Sequence, residues 1–194
     1  RDRIIGTLKI TFIATIVSVP IGLGAAIYLN EYASDRTRRI IKPILEILAG
    51  IPTIVFGFFA LTFVTPILRS IIPGLGEFNS ISPGIVVGIM IVPIITSLSE
   101  DAMSSVPNKI REGAFGLGAT KFEVATKVVL PAATSGVVAS IVLGVSRAIG
   151  ETMIVSLAAG STPTSSLSLT SSIQTMTGYI VEVATGDAPF GSDI

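Results

Sequence analysis

Long runs of apolar residues dominate the pattern of this chain. A helix needs roughly 20 apolar residues to cross a bilayer core about 30 Å thick, and four windows meet or approach that length. The pattern therefore predicts four membrane-spanning helices, at Ile4–Leu29, at Ile44–Leu68, inside Asn79–Ser99 and at Ala132–Ala159.

Proline and glycine punctuate these spans. Each proline removes a backbone donor, and lipid tolerates this only where neighbouring helices cover the exposed carbonyl groups. Small residues allow two helices to approach closely. We expect kinks at Pro20, Pro52 and Pro93, and tight packing at Gly22, Gly24, Gly57, Gly88 and Gly144.

The composition agrees with a membrane protein. Hydrophobic residues make up 49% of the 194 positions and charged residues only 13%, and the mean hydropathy is +0.80. Thirteen basic residues balance thirteen acidic ones, so nothing favours a nucleic-acid partner. The chain has no Cys and no His, which removes thiolate metal sites and the commonest general base, and so disfavours a membrane enzyme.

Basic residues cluster in two of the connections between spans. They are Arg36, Arg38, Arg39, Lys42, Lys109, Arg111, Lys121 and Lys127. Because cytoplasmic loops carry the excess of Lys and Arg, residues 30–43 and 100–131 are predicted to be cytoplasmic. Residues 66–82 and the tail 160–194 are then extracytoplasmic.

The loop at residues 107–131 is more charged than anything around it. Pro107, Gly116 and Gly118 punctuate two short helical runs, Asn108–Phe115 and Thr120–Val129, and the second is amphipathic. The periodicity leaves two interpretations open, a docking site for a partner protein or a surface loop that packs on itself. For the tail, residues 173–184 could likewise form an external amphipathic helix or a plain linker.

One segment of this loop imitates a nucleotide-binding motif. GAFGLGAT at residues 113–120 nearly matches the phosphate-cradling loop G-x-x-x-x-G-K-[ST], but Ala119 stands where the lysine is needed. No strand precedes it. We therefore predict that the chain does not bind ATP and that any ATP chemistry belongs to a partner.

Arg147 and Glu151 are the charged pair in the fourth span, four residues apart on what would be one helix face. A charge near the bilayer centre is costly and is retained for packing or for function. The two could form a structural ion pair. Alternatively, the guanidinium could face a water-filled path and bind a tetrahedral anion, with Glu151 tempering the affinity.

The loop resembles the EAA loop of type I ABC importer permeases, written E-A-A-x3-G-x9-I-x-L-P. The matching residues are Glu112, Gly113, Ala114, Gly118, Val128, Leu130 and Pro131, with Gly113 in place of Ala and Val128 in place of Ile. The resemblance implies a coupling helix near Pro107–Gly118 that sits in a cleft of a cytoplasmic ATPase subunit. It assigns ATPase coupling to Glu112, Gly113, Ala114, Gly118, Leu130 and Pro131.

Several segments are similar to the membrane subunits of the Pst phosphate transporter, in particular the PstC-like branch. They are RAIGETMIV at 147–155, GIPTIVFGFFAL at 50–61, IMIVPIITSLSEDAMSSVP at 89–107 and VATGDAPFGS at 183–192. Sulfate and molybdate permeases usually have an aromatic residue where this chain has Thr152. The resemblance implies a substrate path at Arg147, Glu151 and Thr152, through which phosphate is imported by alternating access.

The same resemblance implies the assembly. The partners would be a second permease subunit, a dimer of cytoplasmic ABC ATPases that binds ATP and Mg, an extracytoplasmic phosphate-binding protein and membrane lipid, with no cofactor in this chain. Such permeases usually have six spans, so one span is expected before Arg1 and one after Ile194.

The expectation is therefore an all-α integral membrane protein. Residues 1–194 would form one permease domain in a prokaryotic cytoplasmic membrane. The alternatives are a permease for another oxyanion, such as sulfate or phosphonate, and an ion-coupled secondary carrier.

Overall fold

Helices account for most of residues 2–160 and 172–185, which are the residues that the computed structural model describes. The α-helices in this part of the chain are α1 Asp2–Ile27, α2 Asp35–Ala49, α3 Thr53–Phe59, α4 Thr65–Ile71, α5 Ile81–Ser104, α6 Asn108–Gly116, α7 Lys121–Glu123, α8 Leu130–Ala132, α9 Thr134–Ile149, α10 Met153–Ala158 and α11 Met176–Thr185. Three π-helical segments interrupt them, at Tyr28–Tyr32, Ala60–Val64 and Val124–Val129.

Within the described residues, three helical stretches are long and apolar enough to cross a membrane, namely Asp2–Tyr32, Thr53–Ile71 and Ile81–Ser104. The first and third confirm the predicted spans. Large apolar side chains remain exposed along these stretches, with Phe12 at 67%, Phe58 at 54% and Phe63 at 56%. Such exposure is expected for apolar side chains that face lipid.

The second span begins later than predicted. The segment Ile44–Ala49 belongs to α2, which starts at the Ser34 cap, where the hydroxyl accepts a hydrogen bond from the N–H of Thr37. Pro52 has an extended backbone, with φ −57° and ψ 135°, and α3 starts directly after it. This extended backbone breaks the helix between Ala49 and Thr53, so the predicted start at Ile44 is wrong.

The fourth span is not continuous over Ala132–Ala159, so this prediction is also wrong. The helical stretch Lys121–Ala132 and helix α9 could together cross a membrane, but the chain bends by 75° between them. At the other end α9 stops at Ile149, residues 150–152 are not helical, and α10 follows. Apolar residues continue through the first interruption, whereas the second contains Glu151 and Thr152, and the hydropathy of the whole window revealed neither.

The chain divides into two compact units that are each discontinuous in sequence. One comprises Arg1–Val17, Ile51–Met90 and Ser146–Ile194, as far as the structure describes them, and the other comprises Ser18–Gly50 and Ile91–Val145.

Close packing at glycine holds the first unit together. A Cβ atom on Gly57 would lie 2.7 Å from Leu157 Cδ1 and 3.3 Å from Ile154 Cα, so α3 and α10 approach each other at this point. Gly88 of α5 is equally close to Val17 of α1, where a Cβ would lie 2.9 Å from the Cβ of the valine. Tight packing at Gly57 and Gly88 is thereby confirmed.

The second unit has an apolar cluster and buried polar contacts between helices. The cluster consists of Ala26, Met103, Val106, Val124, Val129, Ala133 and Val137. The Thr96 hydroxyl donates to the carbonyl of Gly22 at 3.1 Å, and the hydroxyls of Ser99 and Ser140 lie 2.7 Å apart. A Cβ on Gly22 or Gly144 would lie 2.9 or 3.0 Å from a side-chain carbon of Ile95. Close packing is confirmed at these two glycines but is wrong at Gly24, where nothing lies within 4 Å.

Part of the tail forms a helix, so the linker interpretation is wrong for residues 176–185. Helix α11 lies against α1, where the N–H of Met176 donates to the Thr7 hydroxyl at 3.2 Å. Arg3 Nε donates to Gln174 Oε1 at 2.8 Å, and its guanidinium lies 3.3 Å from the centroid of the Tyr179 ring. The rest of the predicted tail, residues 161–171 and 186–194, lies outside the described residues. Its extracytoplasmic side stays a prediction.

Replacement of Gly22 with Ala should destabilise the protein by about 1–3 kcal/mol, because the new methyl group overlaps the branched Cβ of Ile95. Gly24→Ala on the same helix is the matched control, and it should leave stability unchanged or raise it, since alanine favours a helix. The measurement is the thermal unfolding midpoint of the full-length complex in detergent. Equal midpoints for the two variants would contradict this account.

Candidate functional site

The loop at residues 107–131 folds as two helical segments joined by a sharp corner. Helix α6 starts after Pro107 and ends at Gly116, which confirms the first predicted run to within one residue. The second run continues from α7 through the π-helical segment Val124–Val129 into α8. The predicted helix, turn and helix are thus present.

Gly118 makes the corner. Its φ of +85° lies in the left-handed region, where glycine has no steric penalty. The N–H of Gly118 donates to the carbonyl of Phe115 at 2.9 Å, and the N–H of Ala119 reaches back to the carbonyl of Ala114 at 3.1 Å. These two bonds define a Schellman motif, which satisfies carbonyl groups at the end of α6.

The next residues start the second helix with a capping box. The Thr120 hydroxyl accepts from the N–H of Glu123 at 3.3 Å, while the Glu123 carboxylate accepts from the N–H of Thr120 at 3.1 Å. Together the two motifs explain Gly118 and Thr120 of GAFGLGAT, because these residues end one helix and begin another. Helices flank the segment on both sides, whereas a phosphate-cradling loop follows a strand. That the chain does not bind ATP stays a prediction.

The residues of the EAA-like pattern occupy different environments. Ala114 and Leu130 are half-buried and pack against the apolar cluster of the second unit. Glu112, Gly113, Gly118 and Pro131 are exposed. Within the described part of the chain, Glu112 makes no hydrogen bond or ion pair.

An exposed apolar surface borders this corner. Leu117 is 92% exposed and Phe122 is 67% exposed, which is unusual for side chains at two capped helix ends. Beside them lies an open groove of about 460 Å³, whose lining includes Ala114, Gly118 and Lys127. A loop that packed on itself would bury these side chains, so the geometry favours the docking interpretation.

The structure also reveals a group of charged residues whose contacts the sequence did not predict. Glu100 is 1% exposed and pairs with Arg38 and Lys42 of α2. Glu31 pairs with Arg111 of α6 at 3.2 Å. The hydrogen bond from Lys42 to Glu100 raises the pKa of this lysine, which keeps it charged.

The sequence pattern assigned Arg38, Lys42 and Arg111 only to membrane orientation, although it also contained one signal for their pairing. Glu100 directly follows an uncharged apolar span, at a position where an unpaired carboxylate would be costly. Such a residue needs a cation nearby, and the adjacent loops are rich in them.

Arg147 and Glu151 are separated by the end of α9. Arg147 lies in the last turn of that helix and is exposed, while Glu151 is 7% exposed and lies in the non-helical segment. The expectation that both share one helix face is therefore wrong. Among the described residues Arg147 forms no ion pair, either with Glu151 or with another acid.

Glu151 and Thr152 organise the start of α10. One oxygen of the Glu151 carboxylate accepts from the N–H of Ile154 at 3.4 Å, and the carbonyl of Thr152 accepts from the hydroxyl of Ser156 at 2.9 Å. The backbone carbonyl of Glu151 accepts from the Thr177 hydroxyl at 3.0 Å, which connects the segment to α11. The carboxylate is therefore engaged locally, whereas the guanidinium of Arg147 is not.

The replacement Gly118→Ala should destabilise the loop by about 1–2 kcal/mol, because a Cβ atom is disfavoured in the left-handed conformation. Gly113→Ala is the matched control, since Gly113 is within a helix and has no atom within 4 Å of the added methyl group. Protease cleavage rates within residues 107–131 of the full-length protein would measure the difference. Faster cleavage should follow only from the change at Gly118, and equal rates would contradict the role of the corner.

Comparison with known proteins agrees with this geometry. Residues 18–190 match the family described as "Binding-protein-dependent transport system inner membrane component". The probable ABC transporter permease protein YqgH of Bacillus subtilis is 38% identical over 160 residues, which is 82% of this chain and 52% of that protein. The phosphate transport system permease protein PstC of Pasteurella multocida is 39% identical over 176 residues, which is 81% of this chain and 55% of that protein.

The PstC protein of Mesorhizobium japonicum is also similar. It is 34% identical over 196 residues, and the match covers 91% of this chain and 60% of that protein. The chain thus spans little more than half the length of these relatives.

A solved structure of the MetNI methionine ABC transporter, in an inward-facing conformation, has the same fold. Its TM-score is 0.62 at 23% sequence identity, and the match covers 75% of this chain and 67% of that chain. The family match extends over most of the chain and includes both the loop at 107–131 and the segment that carries Arg147 and Glu151. The chain therefore belongs to the family of inner membrane components of binding-protein-dependent transport systems.

Proposed function

We propose that this chain is the membrane-spanning part of an ATP-driven importer of inorganic phosphate, working by alternating access. The observation that carries the proposal is its identity of 34–39% to proteins named phosphate transport system permease protein PstC. ATP and Mg would be bound by a dimer of cytoplasmic ATPases. A second permease subunit and an extracytoplasmic phosphate-binding protein would complete the assembly.

The corner at residues 107–131 supports docking of the ATPase. Its helix ends are satisfied internally by the Schellman motif and the capping box, so α6 can present exposed side chains without loss of backbone hydrogen bonds. Glu112, Gly113 and Leu117 lie on this exposed surface. We propose that α6 is the coupling helix and that Glu112 meets the ATPase.

Arg147 supports recognition of an anion. The exposed guanidinium makes no ion pair among the described residues, and a planar fork of N–H donors matches phosphate oxygens. Helix α9 ends two residues later, and the negative end of its dipole favours a cation there. Glu151 and Thr152 would shape the adjacent backbone, with Glu151 lowering the local affinity so that the anion can leave.

The change Arg147→Ala should abolish phosphate uptake while the complex still assembles, because it removes the only proposed counter-charge for the anion. Arg69→Ala is the control, since Arg69 is also an exposed arginine near the end of a helix, α4. Uptake of labelled phosphate into cells with matched expression measures the effect. Normal uptake by a well-expressed Arg147 variant would refute the role of this residue.

Competition distinguishes phosphate from the other oxyanions. Excess unlabelled phosphate should suppress labelled phosphate uptake, and the same excess of sulfate should not. Suppression by sulfate or by a phosphonate would instead support the alternative substrate. Uptake that continues without an ATPase would favour an ion-coupled carrier.

A further inference from the structure

Helix α6 has little apolar packing to hold it in place. None of its residues is fully buried, and Ala114 is its main contribution to the packing around the apolar cluster. Arg111 provides the other attachment, and its side chain is only 13% exposed. A helix attached so sparsely could move without its neighbours unless Arg111 links them.

Arg111 bridges α6 to the end of α5 and to the end of α1. Its guanidinium donates to the carbonyl of Met103 at 2.7 Å and to that of Val106 at 2.6 Å, both at the C-terminal end of α5. Its Nε donates to Glu31 Oε1 at 3.2 Å, in the π-helical turn that follows α1. A planar fork can serve three such acceptors, which a lysine ammonium on a single stem cannot match.

Glu31 continues the connection to α5. The Asn30 amide donates to Glu31 Oε1 at 2.6 Å, and Asn30 Oδ1 lies 2.9 Å from the Ser104 hydroxyl. That hydroxyl is also 2.9 Å from Glu100 Oε1, and its single proton can serve either oxygen. Asn30 and Ser104 therefore connect the two buried carboxylates.

Glu100 then brings in α2. It pairs with Lys42 and, at 3.5 Å, with Arg38 Nε. Arg38 also donates to the carbonyl of Leu29 at 2.8 Å, at the end of α1. We name Arg111, Glu31, Asn30, Ser104 and Glu100 the cytoplasmic clamp, since every link from α6 to α1, α5 and α2 described above passes through them.

We propose that the cytoplasmic clamp is the device that transmits displacement of α6 to the ends of α1 and α5, with Arg111 as its principal positioning residue. This inference rests on the proposed function of α6. A displacement of α6 alone would leave the Glu31 side chain, which is 7% exposed, as a carboxylate without its cation. The helices therefore move together or not at all, whereas apolar contacts at Ala114 could slide.

The test uses the complete transporter, with the full-length form of this chain, reconstituted in proteoliposomes. Phosphate uptake and ATP hydrolysis are measured together, and their ratio reports coupling. Arg111→Lys keeps the charge beside Glu31 but loses the fork, and Glu31→Gln keeps an acceptor but loses the charge. Each should lower the ratio of phosphate moved to ATP hydrolysed by about tenfold while hydrolysis persists.

Matched controls make the same chemical changes at exposed positions of α2. Arg39→Lys and Glu46→Gln should leave the ratio unchanged. Because Arg111 and Glu31 act through one contact, the double variant should be no worse than the more severe single variant. Fully additive losses, or a wild-type ratio in Arg111→Lys, would overturn the clamp.

A milder variant covers the case in which the Arg111 variant does not assemble. Ser104→Ala removes the hydroxyl between Asn30 and Glu100 and should lower the ratio about twofold, whereas Ser105→Ala on the next residue should not. An unchanged ratio in Ser104→Ala would count against the proposal. Failure of the proposed function is distinguishable, because the wild-type transporter itself would then show no ATP-dependent phosphate uptake.

Discussion

Hydrocarbon offers no hydrogen-bond partner to a peptide group, so each interruption of a helix in this chain needs a substitute partner. After the π-helical segment Ala60–Val64, the carbonyl of Ala60 accepts from the N–H of Thr65 and also from its hydroxyl, the latter at 2.9 Å. Where α9 ends, the Glu151 carboxylate accepts the N–H of Ile154. At these two places a polar side chain supplies a hydrogen bond, whereas no side chain caps α3 after the break at Pro52.

The same requirement explains the basic residues near the predicted cytoplasmic side. Helices α1 and α5 both end there, and the C-terminal end of a helix presents carbonyl groups without partners and the negative end of a dipole. Arg38 donates to the carbonyls of Leu29 and Asn30, while Arg111 donates to those of Met103 and Val106. Residues that orient the protein by their charge thus also complete its helix ends.

The proposed function rests on two places in the chain, which are built differently. At the loop, Gly118, Thr120 and Glu123 satisfy the backbone hydrogen bonds of the helix ends, so the surrounding surface remains open for a partner. At Arg147 a guanidinium stands at a helix end without an ion-pair partner among the described residues. Both places are built from helix termini, since only there does a membrane helix expose groups that are not already paired.

The sequence alone determined the membrane character, two of the spans in full, the two helical runs of the loop and the family. These rest on local properties, because apolar length, capping residues and motif spacing are read from neighbouring positions. It missed the break at Gly50–Pro52, where apolar residues continue although the helix does not, and the break at Gly150–Thr152, which lies between two apolar runs.

Only the tertiary structure decided which charges meet. Arg111 and Glu31 are 80 positions apart in the sequence. Arg38 and Glu100 can pair only after α1, α2 and α5 have been arranged so that the two side chains meet. No local pattern encodes such a contact, because it depends on where several helices end in space. Periodicity placed Arg147 and Glu151 on one face, and the end of α9 between them shows why a regular helix could not be assumed.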